Sequence, residues 1–363
     1  MKLVKGLIVN LLTVVAIFVA LLLVAVGYSD RIPPDVHPMV ACSGMAMPAV
    51  LVLNVAMLLL ILSVCWRRAW IPLAAFVVTY VPIRTYIPLH IPSSEEGDLR
   101  IITYNVCGYG GNFKYDYALD TIADYIMAQN ADIVCIQEEQ CTKHKAVERW
   151  QELYPYNDTV RVDKDPVGKF INAIGIHSRL PIIRKERISY ESSTNGSVAF
   201  YLQLGRDTLI VINNHLEATH ISKEERAQYS EILNGKQERQ QAEEHLFSLM
   251  ERLAESMEKR APEAIAVHQY IEAHRQYPII VCGDFNDTPI SYTHHIIAQG
   301  LTDCFTEAGC GLGLSYNQKG FNFRIDHILC SSQFTPITCK VDSKMDASDH
   351  YPMICSMKMN NNP

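Results

Sequence analysis

Two stretches near the start of the chain carry no charged residue. Gly6 to Gly27 is 22 residues long and Val40 to Cys65 is 26. Roughly 20 apolar residues in a helix cross the hydrocarbon core of a bilayer, so each run is long enough to span. Met1-Lys-Leu-Val-Lys before the first run also suits a signal peptide. The run is too long for a typical signal core, however, and a second one follows it. A third candidate, residues 70–87, holds Pro72, Pro82 and Arg84, and its apolar run from Ile71 to Ile83 is only 13 residues. It spans if Arg84 snorkels and the Trp and Tyr residues anchor its ends; otherwise it is interfacial.

Short loops set the orientation. Lys2 and Lys5 precede the first run, and Arg67 and Arg68 follow the second. Both clusters favour the cytoplasm, which predicts a hairpin with its N-terminus inside. Three passes put the rest of the chain outside the cytoplasm and two leave it inside. The expectation is an integral membrane protein of the inner or plasma membrane with an extracytoplasmic C-terminal domain. Residues 1–90 form the membrane region, with spans at 6–27, 40–65 and 70–87, and 91–98 form a linker.

Beyond it the character changes. The first 97 residues hold six basic and four acidic side chains; the whole chain has 32 and 39, which leaves 26 and 35 from Asp98 onward. A net charge of −9 argues against a protein that coats DNA, because phosphate neutralisation needs clustered Lys and Arg. It leaves room for an enzyme that handles anionic substrates through metal ions. Nine cysteines lie in this part and no CxxC pair occurs. Cys135, Cys282, Cys330 and Cys355 fall in apolar runs and read as buried hydrophobes. A Cys304–Cys310 pairing stays open.

Short β-rich runs occupy 99–105, 132–137, 173–178, 182–188, 198–204, 208–213, 278–282, 324–330, 336–341 and 352–357. Helical patterns fall at 115–129, 223–233, 239–260 and 262–275. Some strands are separated by helices and others by tight turns, which predicts a mixed α/β sheet system. The domain runs over 99–358. Residues 222–276 read as a solvated helical insertion, or else as a lid or a surface that meets a membrane or a partner.

Polar groups recur where strands end: Asn105, Gln137-Glu138, His215, Asp284 with Asn286, Asp326-His327 and Asp349-His350. Carboxylates and amides converging there suit a divalent cation with oxygen ligands. A His with an orienting Asp suits activation of water. Taken singly each group has a plain structural reading as a turn or cap. Together, Thr103-Tyr-Asn-Val, Ile136-Gln-Glu, Asn214-His-Leu, Gly283-Asp-Phe-Asn286, Arg324-Ile-Asp-His and Ser348-Asp-His350 resemble the endonuclease/exonuclease/phosphatase superfamily of deoxyribonuclease I-like fold, over Leu99 to Met357.

The resemblance implies a four-layer α/β sandwich, two facing mixed sheets flanked by helices, and Mg²⁺- or Mn²⁺-dependent hydrolysis of a phosphoester. It implies Glu138 as a metal ligand, with Asn105 nearby and Asp349 supporting the metal or its water shell. His350 is then the general base, oriented by Asp326. Asp284 and Asn286 position water and phosphate oxygens, and His215 donates to a phosphoryl oxygen or the leaving group. His327 stands where the family often has Tyr and reads as packing; Arg179 suits either phosphate binding or a structural ion pair. The loop Tyr316–Phe323 has no Trp and a single Lys, unlike DNA-repair members, which puts damage repair in doubt. The expected activity is a membrane-anchored, nuclease-like phosphodiesterase. The alternative is a phosphatase or phosphodiesterase acting on lipid headgroups or small phosphate esters, and a second is an inactive binding module. Expected partners are the phosphoester substrate, nucleic acid or lipid or small-molecule phosphate, and the bilayer. No obligate protein partner is evident.

Overall fold

The computed structural model describes residues 2–360 apart from 92, 94, 96, 111–117, 140–147, 149, 164–171, 193, 220, 236–237 and 319–320. All ten expected strands form, with ends shifted by at most two residues. They belong to two six-stranded sheets. The first runs β13-β14-β1-β2-β4-β3 and the second β5-β6-β7-β8-β12-β9. Each has a parallel pair at its centre: β1 (Leu99–Asn105) beside β2 (Ile133–Gln137), and β7 (Asp207–His215) beside β8 (Ile279–Asp284). Their neighbours are antiparallel: β4 (Ala173–Ser178), β6 (Gly196–Leu204), β12 (Asp326–Cys330) and β14 (Met353–Met359). The outer strands are β3 (Tyr156–Arg161), β5 (Ile182–Ile188), β9 (Thr302–Asp303) and β13 (Phe334–Val341).

The central strands are buried on both faces, so they read as continuous apolar runs. Ile101, Cys135 and Ile176 of the first sheet pack against Phe200, Val211, Cys282 and Ile328 of the second. Ile102, Val134 and Ile136 point the other way, onto Ile122, Ile126 and Trp150. Ile210, Ile212 and Val281 pack onto Ala264, Val267 and Ile271. Helix, sheet, sheet and helix therefore stack as four layers. None of the described cysteines is bridged, and Cys135, Cys282, Cys330 and Cys355 are core residues.

Some elements escape the sequence reading. Strand β3 is a polar edge strand with little burial, so it lacks the apolar alternation that marks a half-buried strand. A small hairpin pairs β10 (Tyr316–Gln318) with β11 (Phe321–Phe323). The expected helix at 115–129 is described from 118: α7 covers Ala118–Gln129, and 115–117 lie outside the described residues. It follows a single turn, α6 (Cys107–Gly110), that is left-handed and not a true α-helix: Cys107, Gly108 and Tyr109 all have positive φ.

The helices of 222–276 differ most from expectation. α8 (Lys223–Leu233) starts on a capping box between Ser222 and Glu225. α9 is one helix, Arg239–Ala273, that runs through Pro262 instead of breaking there. Burial outweighs the lost hydrogen bond: Ala254, Met257, Arg260, Ala261, Ala264, Val267 and Ile271 are all covered. The second half of α9 is thus a core layer and not a solvated insertion. Two short helices follow, α10 (Tyr292–Ile297) and α11 (Cys304–Ala308).

Before the sheets lie α1 (Lys2–Gly27), α2 (Pro38–Ala41), α3 (Met47–Cys65), α4 (Trp70–Val78) and α5 (Tyr80–Tyr86). The helical stretches Leu3–Gly27 and Pro38–Arg68 are long and apolar enough to cross a membrane, by length and composition. Segment 70–87 is not a single helix: it breaks at Thr79. Pro82 lacks an N–H and crowds the carbonyl four residues back, and that carbonyl, of Val78, accepts instead from Tyr28 Oη at 2.6 Å. Arg68 donates to Val9 O at 3.3 Å and Asn10 Oδ1 at 3.1 Å, so the basic ends of α1 and α3 meet. Segment 70–86 leads from there back to the sheets, where Arg84 pairs with Glu307 at 2.5 Å.

The connection between α1 and α3 is pressed onto the α/β domain. A Cβ on Gly44 would lie 2.0 Å from Ile290 O, so only glycine fits there. Cys42 Sγ lies 3.4 Å from Met257 Sδ of α9, and Asp30 faces His295 at 3.4 Å.

Candidate active site

The site lies at one end of the two sheets, where five strand termini meet. Register does most of the placing. Asp284 ends β8 directly between His215 of β7 and Asp326 of β12. Gly283 makes this approach possible: its φ is +124°, and a Cβ there would lie 2.1 Å from Asn214 O. In the other sheet Asn105 pairs with Gln137, which presents Glu138 next in the chain. Glu138 has a φ of +53° and Asn286 a φ of +52°. Non-glycine residues rarely adopt this left-handed conformation, and such strain concentrates at functional sites.

Asp326 Oδ2 and His350 Nδ1 are 2.8 Å apart, and the other ring nitrogen, Nε2, faces Asp284 Oδ2 at 3.6 Å. Burial alone would push the imidazole down, but Asp326 and Asp284 outweigh it and hold His350 well above its ordinary range. Asp284 is pushed up to about 6, chiefly by burial; His350 works against the shift and Asp326 adds to it.

His215 Nε2 lies 3.7 Å from Glu138 Oε1 and 3.8 Å from Asp284 Oδ2. Its tautomer follows from Asn172. That amide nitrogen donates to Thr194 O at 2.7 Å and contacts His215 Nδ1 at 3.2 Å. The Thr194 carbonyl can only accept, so the amide orientation is fixed and Nδ1 accepts. The N–H of His215 then points into the site from Nε2.

Asn105 is fixed in the same way. Its Oδ1 accepts from Cys107 N at 3.0 Å, while Nδ2 donates to Glu138 Oε1 and Asp284 Oδ2, both at 3.1 Å. The amide therefore clamps two carboxylates and turns its oxygen away from them. Asn286 caps Asp284 Oδ1 through its backbone N–H at 2.8 Å, and its Nδ2 donates to Leu216 O. Ser348 Oγ ties the final loop to Asn105 O at 2.8 Å, bringing Asp349 and His350 over the cavity.

Whether this set fits a divalent cation is decided by its donors. Glu138 keeps a third of its side chain open to the cavity, and Asp349 lines the same space. Asp326 Oδ1 is buried without a partner, and Asp284, Asp326 and His350 bring ligand atoms within 4.8 Å of one another. An oxygen-rich group with surplus negative charge suits a hard cation.

The cavity has a volume of about 220 Å³ and contains Glu138, His215, Asp284, Asn286, Asp349 and His350 together. His327 turns away from it, donating from Nε2 to Asp287 O at 2.9 Å and packing on Phe285. Arg179 is also remote, bonded to Asn130 and Asp132.

Several contributors were not anticipated. Glu139 is buried behind Glu138 and accepts from Tyr109 Oη at 2.9 Å and Thr159 Oγ1 at 2.8 Å, with His177 Nε2 also 2.9 Å away. Burial raises its carboxyl, and these partners outweigh burial and lower it. The doubled glutamate after Gln137 was the available signal. Arg226 of α8 donates to Tyr316 Oη at 2.9 Å, and Arg260 of α9 is buried 3.2 Å from Asp287. No sequence spacing linked these to the site.

A family model described as the endonuclease/exonuclease/phosphatase family matches residues 102–350. The chain belongs to the endonuclease/exonuclease/phosphatase family. Members of this family are phosphoester hydrolases. A second family model, described as a domain of unknown function, matches residues 9–86. Among curated proteins none matches. Solved structures share the fold. An endonuclease/exonuclease/phosphatase from Beutenbergia cavernae is 15% identical, with a TM-score of 0.53 over 73% of this chain and 72% of that one. The human nocturnin catalytic domain with bound sulfate is 15% identical, with a TM-score of 0.51 over 76% and 96%. A family protein from Bacteroides vulgatus is 15% identical, with a TM-score of 0.50 over 72% and 99%.

Proposed function

We propose that this chain is a membrane-anchored, divalent-metal-dependent hydrolase of phosphoesters that activates water by nuclease-type chemistry. The observation that carries the reading is the Asp326–His350–Asp284 line facing Glu138 across one cavity. Asp326 holds Nδ1 of His350, and Nε2, once it has given up its own tightly held proton, takes the proton of the attacking water. Asp284 and the Asn286 turn orient that water. His215 donates its Nε2 proton toward a phosphoryl oxygen or the leaving alcohol. Asn105 holds Glu138 and Asp284 at a fixed separation. Glu138 would hold Mg²⁺ or Mn²⁺, with Asp349 supporting it. When bound, the cation neutralises charge on the phosphoryl group. An inactive binding module is disfavoured because every base, donor and carboxylate position is filled and aligned.

Anchoring rests on the N-terminal helices. Leu7, Leu11, Val14, Phe18 and Leu21 of α1 are exposed, as a lipid-facing surface requires. The basic ends of α1 and α3 meet at one end of the bundle, and the catalytic domain lies at the other. By the positive-inside rule this orientation puts the catalytic domain outside the cytoplasm, with 70–86 as a broken third pass. Alkaline phosphatase fused after Met357 will be active if so, and inactive if the domain is cytoplasmic.

The test of activity uses the full chain in detergent with Mg²⁺ or Mn²⁺, on bis(p-nitrophenyl) phosphate and supercoiled plasmid. Turnover is expected from the wild type and not from His350→Ala or Glu138→Ala, and chelation abolishes it. Equal turnover by wild type and His350→Ala would sink the assignment.

A further inference from the structure

The catalytic groups form only part of the cavity's lining. Another part is apolar: Met45, Ile221, Leu253, Met257, Phe321 and Phe323 contribute to it, beside the paired Arg260 and Asp287. The apolar residues come from four separate places. Met45 belongs to the connection between α1 and α3, two positions before α3 begins. Leu253 and Met257 belong to α9, which packs on that same connection through Cys42. Phe321 and Phe323 come from the β10–β11 hairpin, and Phe321 packs at a tilt against Tyr229 of α8, ring centroids 4.7 Å apart.

A site for nucleic acid needs cations that follow a phosphate backbone; aromatic faces, which Tyr316, Phe321 and Phe323 supply here, do not suffice without them. Among the described residues two arginines line this cavity, and each is already engaged, Arg226 by Tyr316 and Arg260 by Asp287. The domain carries a net charge of −9. An apolar wall that starts at the connection between two bilayer-length helices fits a different ligand, one with a phosphoester at one end and hydrocarbon at the other.

We infer that the substrate is a lipid phosphoester whose chain lies along the Met45–Leu253–Met257 wall, drawn from the outer face of the membrane in which the chain is anchored. This rests on the phosphoesterase reading above and names its substrate class. The reaction is hydrolysis: water forms a new P–O bond, the P–O bond to the ester oxygen breaks, and the released alcohol takes up the proton. Removing apolar area from water along the wall supplies affinity that a chain-free ester cannot gain. Tethering raises the local concentration of membrane substrates further.

The test uses the full chain in detergent micelles with Mg²⁺ or Mn²⁺. Long-chain phosphatidic acid, phosphatidylglycerol and phosphatidylcholine are each compared with the deacylated glycerol phosphoester of the same head. Bis(p-nitrophenyl) phosphate and supercoiled plasmid serve as chain-free esters. At least one long-chain lipid is expected to be hydrolysed with kcat/KM about tenfold or more above its deacylated partner, and not by His350→Ala. Met45→Asp and Met257→Asp lower that ratio by about tenfold, because a carboxylate beside the chain must be desolvated. The chain-length comparison on the wild type stands even if these variants fail to fold. Hydrolysis of chain-free esters without any lipid, or equal rates with and without chains, overturns the inference and leaves the phosphoesterase reading standing. Turnover of nothing in the panel removes both.

Discussion

The two sides of the cavity are built in opposite ways. The catalytic side stands on strand ends whose register is set by ladders of backbone hydrogen bonds, and its residues sit in short local motifs. The apolar side is assembled from the segment just before α8, from α9, from a small hairpin and from the connection between α1 and α3. No stretch of sequence announces it. In the proposed reading, chemistry that demands placement within fractions of an ångström is carried by the rigid sheets, and the choice of substrate is left to the elements appended to them.

This contrast can be broken or sharpened. The largest effect belongs to the catalytic side: His350→Ala lowers kcat on bis(p-nitrophenyl) phosphate by about 10³-fold, measured at a temperature where both proteins are folded. A loss under tenfold would show that the strand-end groups are not the chemical centre.

The next effect concerns the buried half of α9, through Glu263, which accepts from Glu217 N at 2.8 Å. Burial pushes this carboxyl up to about 7 from an ordinary 4.5. A raised carboxyl binds its proton more tightly in the folded chain. The folded state therefore holds the extra proton between these values, and stability falls as pH rises through that window. Glu263→Gln removes the slope, and the variant gains up to about 3 kcal/mol relative to wild type across it. Urea midpoints taken below and above the window read this directly; parallel curves for the two proteins would refute it.

Asn105→Ala comes third. It removes the donor shared by Glu138 and Asp284 and weakens apparent Mg²⁺ or Mn²⁺ affinity by roughly 10- to 100-fold, measured by metal titration of activity. An unchanged titration would return Asn105 to a purely structural role. The smallest effect is Phe247→Ser on the outer half of α9, where the side chain is 57% exposed. It shifts stability by no more than about 0.5 kcal/mol, unlike Ile271→Ala at the buried end, which costs roughly 2–5 kcal/mol.

How much could be read in advance follows the same division. The strands around Asn105, Glu138, His215, Asp284 and Asp326 were legible because buried central strands are continuous apolar runs closed by polar residues. The edge strand Tyr156–Arg161 was not, since its exposed faces carry no alternation. α9 misled because charged residues on its outer half and Pro262 at its middle suggested two solvated helices, whereas packing of its inner half held it as one. Arg226, Arg260 and Met45 were out of reach because their role depends on contacts between segments far apart in the chain.

The sequence by itself determined the two apolar runs, the central strands, and the order of the polar groups that close those strands, because each is a local pattern of hydrophobicity or a fixed spacing along one strand. Only the tertiary structure decided that Asn105 clamps instead of offering its oxygen, that Glu139 is buried behind Glu138, and that the connection at Met45 closes the catalytic cavity. Those outcomes depend on which surfaces meet once apolar area is buried, and that is a property of the packed chain and not of any segment in it.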